Sequence, residues 1–378
     1  MLPSCSSSRL PICLASWWLS TRGSWSTSAL MLSTLAPLAR AAEVLRWEPP
    51  FSYASPATRQ PYAPPAKARR AWKLCVVVPH LKDAYWLAVN YGMIDEARRL
   101  GVHMQVLEAG GYPNLERQRS LLQACAEAAD MDAMILGTVS FDGLSDLLRD
   151  VSRKKPVLAT VNDIADAGLA AKVGVSWYDM GRQVGEYLAG LPHPGQARVP
   201  IAWFPGPRDA GWVPFVDKGF RDAIRDSPIA IVSTGWGDTD KTVQRDLVQE
   251  ALDAHPEVRY LVGNAMMAEA AVGVLRGRQP EGGPGGRAGD IGVLSTYFTP
   301  GVYRGIVRGK IMAAPTDSPV LQGRLSVDQA VELLEGRRYA RHMGPVIRLV
   351  DRRSLPHLDL DESMPPPTFT PQFRYPPR

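Results

Sequence analysis

Several signatures of catalysis and of nucleic-acid binding are missing from this chain. No Gly-x-Gly-x-x-Gly follows an apolar run and no Walker-type lysine loop occurs, so the usual phosphate cradles are absent. No Gly-x-Ser-x-Gly elbow is present, and the 6 histidines show no His-x-x-x-His spacing that would hold a metal. The net charge of +5 is spread thinly, without a Lys/Arg block to track phosphates. Beyond the first forty residues there is no apolar run long enough to span a bilayer. No paired acid and base stands out, so an enzyme is not expected.

Cysteine is also scarce, and its placement divides the chain. Of 4 cysteines, Cys5 and Cys13 fall in a leader-like segment whose only charges before Arg40 are Arg9 and Arg22. There "SALMLSTLAPLA" supplies an apolar core and Ala39-Arg40-Ala41 a small-x-small cleavage site, so residues 1–41 read as an export signal. Cys75 and Cys125 remain in the mature chain. An oxidising compartment permits a bridge between them, and two buried free thiols are the alternative.

Proline is abundant, with 33 residues, and unevenly placed. Residues 42–71 hold "EPPFSYASPATRQPYAPPAKARR", an extended lead-in rather than a domain. From Trp72 strands and helices alternate. "KLCVVVPH" is an unbroken apolar strand, as in a sheet covered on both faces. The helix after it carries Trp86, Val89, Met93, Ala97 and Leu100 at helical spacing. "HMQVLEA", "DAMILGT" and "PVLATVND" continue the strands, with helices between. The rhythm restarts at "SWYDMGRQVGEYLAG" and runs through "VPIAWFPG", "IAIVSTGWGD", "RYLVGN" and "IGVLSTYF" to a terminal strand "GPVIRLV". The pattern predicts an α/β protein of two doubly wound parallel-sheet halves. Ligands of such sheets sit beyond the carboxyl ends of the strands.

Aromatic residues gather at those strand ends: Tyr85 and Trp86 after the first strand, Tyr112 after the second, Trp177 where the halves meet, and Tyr297 after a late strand. Each alone is explained by packing. Together, on loops at sheet ends with little core to fill, they point to a shared crevice. Tyr and Trp faces suit a small methylated cation, and a phenolic hydroxyl suits an oxygen on the same ligand. A sugar stacked on one or two rings and held by Asp83, Asn162, Asp163 and Asp238 fits the same residues. His80 reads as a structural histidine, and Asp83 as the cap of the following helix.

"AWKLCVVVPHLKDAYWLAVNYGM", "VLEAGGYPN", "VGVSWYDMG" and "GVYRGIVRGKIMAAPTD" resemble the TorT family of periplasmic binding proteins, relatives of ribose-binding proteins and LacI-type effector domains. The likeness runs from about Trp47 into the C-terminal region. "GPRDAGW" and "GGPGGRAG" stand outside it. The resemblance implies a type I periplasmic binding protein with two lobes joined by a hinge. The first lobe is expected at 72–175 plus 299–340, the second at 176–298 plus 341–355, with a Pro-rich tail at 356–378. It also implies a periplasmic sensor that binds trimethylamine N-oxide and engages the periplasmic domain of a TorS-type hybrid histidine kinase. The ligand-binding residues it implies are Tyr85, Trp86, Tyr112, Trp177 and Tyr297, with Trp86 and Trp177 clamping the methyl groups and Tyr112 bonding the oxygen. No cofactor, metal or nucleic acid is implied. An importer's binding protein for a sugar or methylated amine is the alternative.

Overall fold

The computed structural model describes residues 42–278 and 291–376. The export-signal reading of 1–41 and the Gly-rich loop at 280–290 lie outside these residues. Two sheets carry the fold, each sandwiched by helices. The first has nine strands and the second six.

The first sheet is built on β3 (Lys73–Val78), β4 (His103–Glu108), β5 (Ala133–Leu136), β6 (Val157–Val161) and β7 (Ala171–Gly174), all parallel. Helices α1 (Ala84–Leu100), α2 (Leu115–Glu127) and α3 (Ser145–Val151) return the chain between them. Buried Val, Leu and Ile fill these strands because both sheet faces are covered. Cys75 on β3 and Cys125 on α2 are disulfide-bonded, with 5.8 Å between their Cα atoms. Sequence left that pairing open.

The second sheet repeats the plan after α4 (Trp177–Ala189). It comprises β8 (Val199–Gly206), β9 (Ile229–Trp236), β10 (Tyr260–Gly263), β11 (Gly292–Ser295) and β12 (Ala313–Thr316), again parallel. Its helices are α5 (Val213–Ile224), α6 (Lys241–Ala254), α7 (Ala265–Gly277) and α8 (Pro300–Val307). The chain then recrosses. Helix α9 (Pro319–Leu334) packs on α1, β13 (His342–Pro345) pairs with β7, and β14 (Arg348–Asp351) pairs with β12.

These crossings correct the expected boundaries. The segment 299–317 belongs with the second sheet, because β11, α8 and β12 form one crossover unit that cannot be divided between lobes. Residues 342–345 belong with the first sheet. "GPVIRLV", read as one strand, is therefore broken at Val346–Ile347, its halves serving different sheets. The lead-in also has more structure than expected. Its β1 (Ala42–Trp47) and β2 (Ala57–Tyr62) form an antiparallel hairpin that extends the first sheet beyond β13. The tail ends as β15 (Arg374–Tyr375), antiparallel to β4 on the opposite edge. On its way it touches both halves, since Ser363 Oγ lies 2.9 Å from Thr316 Oγ1 and Asn90 exchanges two hydrogen bonds with the Gln372 backbone.

Each half locks a helix pair with glycine. In the first, a Cβ on Gly92 of α1 would lie 2.0 Å from the Val320 carbonyl oxygen of α9. In the second, a Cβ on Gly219 of α5 would lie 1.9 Å from the Tyr178 carbonyl oxygen of α4. Only a residue without Cβ permits such backbone approach.

Candidate functional site: an aromatic cavity between the lobes

Helix α1 begins at the carboxyl end of β3. Asp83 caps it, its Oδ1 accepting the Trp86 N–H at 2.8 Å, and this places Tyr85 and Trp86 in the first turn. Helix α4 begins where the chain leaves the first sheet. Ser176 caps it, and Trp177 is its first residue. Tyr112 follows β4 and Tyr297 follows β11. The five sequence-predicted residues line one small cavity together with Asp83, Asn162, Trp212 and Thr239. All five predicted rings and Trp212 are buried, none more than 9% exposed.

The rings touch in sequence. Tyr85 lies 6.1 Å from Trp86, 5.3 Å from Tyr297 and 6.4 Å from Trp177. Trp212 lies 4.8 Å from Trp177, 6.0 Å from Tyr297 and 6.5 Å from Tyr112. At these separations, mostly edge-on or tilted, the rings pack edge to face on one another around the cavity. The free space among the rings is about 10 Å³, about what a single water needs, so a ligand of a few heavy atoms enters only as the rings part. A larger groove exists between α1, α8 and the tail, but it is open and gathers none of these rings.

The polar atoms are few and placed. Tyr112 Oη accepts from the Trp86 indole N–H at 3.3 Å and from Asn162 Nδ2 at 3.2 Å. Tyr85 turns its hydroxyl outward to Asp317 at 2.5 Å, and Gln322 Nε2 donates to the same carboxylate oxygen at 2.7 Å. The Trp177 indole donates back to the Val161 carbonyl at 3.1 Å. Burial pushes the tyrosine hydroxyls up and the Asp83 carboxyl up, the latter opposed by His80, the Trp86 N–H and Lys82. Asp83 is the one carboxylate lining the cavity.

The lobes are closed over this space. Lys82 reaches across to Asp238 at 2.8 Å, and Phe141 meets Phe215 at 5.3 Å. Beside the latch, His80 lies 3.5 Å from Thr239, in a buried position. Of the four groups considered for a sugar, only Asp83 and Asn162 reach the cavity. Asp163 is withdrawn into a buried ion pair with Lys172 at 2.8 Å, and Asp238 serves the latch. Sequence reasoning missed Trp212. It stands in "GPRDAGW", after β8, and carries the same signal as the other rings: an aromatic just past a strand's carboxyl end. Among the described residues no cluster of His, Cys, Asp or Glu could hold a metal, and no helix is long and apolar enough to cross a membrane.

Two mainly parallel sheets, repeated chain crossings between them and an enclosed ring-lined cleft define a two-lobed binding protein of the type I periplasmic class. Comparison with known proteins agrees. The chain belongs to the periplasmic binding protein family, and within it to the TorT group, for the profile of periplasmic binding proteins and sugar-binding domains of the LacI family matches residues 71–361. It is 37% identical over 347 residues to periplasmic protein TorT of Escherichia coli K12, covering 92% of this chain and 96% of that one. A crystal structure of the TorS sensor domain–TorT complex in the presence of TMAO superposes with a TM-score of 0.71 and 41% identity, over 80% of this chain and 99% of that chain. A solute-binding protein of an ABC transporter from Bradyrhizobium sp. BTAi1, with bound Bis-Tris, superposes at 0.75 with 44% identity, over 90% of this chain and all of the other.

Proposed function

We propose that this periplasmic binding protein senses trimethylamine N-oxide and engages the periplasmic domain of a TorS-type histidine kinase, without turning its ligand over. The observation that carries the reading is the closed cavity. It gathers six aromatic rings around a small enclosed space, with the Tyr112 hydroxyl and the Asp83 carboxylate among its lining. Ring faces attract a methylated cation with about 0.5–2 kcal/mol each, and the Tyr112 hydroxyl suits the oxide oxygen. The TorS complex among the similar structures supports the partner. In this reading Tyr85, Trp86, Tyr112, Trp177, Trp212 and Tyr297 hold the ligand.

The test is calorimetric titration of residues 42–378 with trimethylamine N-oxide, trimethylamine and ribose, each with and without a TorS-type sensor domain. Selective heat from the N-oxide is expected. Silence toward it under both conditions, with heat from ribose, would sink the reading. A second reading has its own support, because the Bradyrhizobium relative is an importer protein that holds Bis-Tris, a tertiary amine. An importer role predicts amine binding without any contact to the kinase domain.

A further inference from the structure

The polarity of the cavity is fixed by hydrogen bonds among its own lining residues. Tyr112 Oη receives two N–H groups, from the Trp86 indole at 3.3 Å and from Asn162 Nδ2 at 3.2 Å. An indole nitrogen donates only, so Tyr112 cannot donate in return. Asn162 Nδ2 also donates to the Thr138 carbonyl at 2.7 Å, and a carbonyl only accepts. That second bond fixes which end of the amide faces Tyr112. With its oxygen occupied from two sides, Tyr112 has only its own O–H left to offer. Both hydrogen bonds that Tyr112 Oη makes among the described residues are accepted ones. The cavity carboxylate, Asp83, accepts from the Trp86 backbone and faces His80 at 3.8 Å instead.

We propose that Asn162, with the Trp86 indole, is a specificity-determining positioning residue that holds Tyr112 as an obligate donor. The cavity thereby selects a methylated nitrogen bearing an oxygen acceptor over the protonated amine of similar shape. This rests on the reading of the cavity as an N-oxide site. Trimethylammonium would bring its N–H against an O–H already turned inward, leaving two donors facing each other. Trimethylamine N-oxide would bring an anionic oxygen to the same hydrogen. Charged hydrogen bonds of this kind separate matched from mismatched ligands by about tenfold to a hundredfold.

The experiment compares the affinities of trimethylamine N-oxide and trimethylammonium at neutral pH for four proteins: unaltered, Tyr112→Phe, Asn162→Leu and Asn162→Asp. The unaltered protein is expected to prefer the oxide by at least about tenfold. Tyr112→Phe, which deletes one atom, should bring the ratio near one by weakening the oxide alone. Asn162→Leu should reduce the ratio several-fold with amine affinity kept, which a merely structural role would not do. Asn162→Asp accepts the Tyr112 hydrogen and should shift the ratio furthest toward the amine. Should one Asn162 variant fail to melt cooperatively, the other decides the role of Asn162, and Tyr112→Phe decides the donor. Oxide binding with a ratio unchanged in Asn162→Leu and Tyr112→Phe overturns the filter while leaving the functional reading intact. Binding of neither ligand by the unaltered protein, with the sensor domain present, overturns both.

Discussion

The two lobes follow one plan and do different work. Both are parallel sheets with a glycine-jammed helix pair, α1 with α9 and α4 with α5. Yet the first lobe wires its cavity residues by hydrogen bonds, Tyr112 to Trp86 and Asn162, and Tyr85 to Asp317 at the crossing. The second lobe contributes Trp212 and Tyr297 as rings packed on each other and on Trp177, with Trp212 also acting on the Tyr112 hydroxyl. The first lobe also buries the Lys172–Asp163 ion pair and, beneath the N-terminal hairpin, the neutral His342. The contrast teaches that the hydrogen-bond network of the cavity is anchored in the first lobe, with the second lobe closing rings over it.

Matched substitutions at the glycine crossings sharpen that comparison most. Gly92→Ala and Gly219→Ala each force a Cβ into a backbone carbonyl, and each should cost about 1–3 kcal/mol by over-packing. Thermal melts should fall by several degrees for both. A melt unchanged in one would show that its helix pair tolerates separation.

Acid should act on the first lobe. His342 is fully buried, its ring stacked 4.6 Å from Trp47 and its Nδ1 accepting from the Phe51 N–H at 3.1 Å. Burial, with Lys172 nearby, lowers its pKa to about 3. Because the folded value lies below that of the unfolded chain, the unfolded state binds the proton first. Stability is full above the ordinary histidine range and falls with pH through it, by up to about 1.4 kcal/mol per unit. The buried carboxyls Asp163 and Asp317 have raised values and act with the opposite sign. Asn in place of His342 should therefore flatten the loss of stability between about pH 6 and 4; parallel melting curves for the two proteins would refute the assignment.

Trp177→Ala should weaken trimethylamine N-oxide binding at least about tenfold, since it deletes a ring that spans to Tyr85, Trp212 and Tyr297. An unchanged affinity by calorimetry would remove it from the site. Smallest of all should be Lys82→Met, which opens the half-exposed latch to Asp238. Such pairs contribute about 0.2–1 kcal/mol and are screened by salt. The expected loss is a few-fold in affinity, vanishing at high salt; a salt-independent loss would point to packing instead.

Much of this was legible in the sequence because strands and helices alternate with clean apolar runs, and because rings at strand ends have no core to explain them. Tyr85, Trp86, Tyr112, Trp177 and Tyr297 were found that way and do share one cavity. Trp212 carried the same signal and was passed over, since its loop looked peculiar to this chain. The crossings were harder. β12 and β13 are four residues each, and nothing local in "AAPT" or "HMGP" says which sheet it joins. The hairpin of the lead-in was hidden by its prolines, which suit an edge strand as well as a coil. The Asn162–Tyr112 bond joins residues 50 positions apart and leaves no periodic trace.

The ends of the first sheet bear on solubility. Its outermost strands are β2, which carries Pro61, and the two-residue β15, which runs directly into Pro376. Proline offers no backbone N–H, so a neighbouring chain finds an incomplete ladder on either side. The lead-in and the tail thus serve as blunted borders, keeping a nine-stranded sheet from recruiting a tenth strand from another molecule.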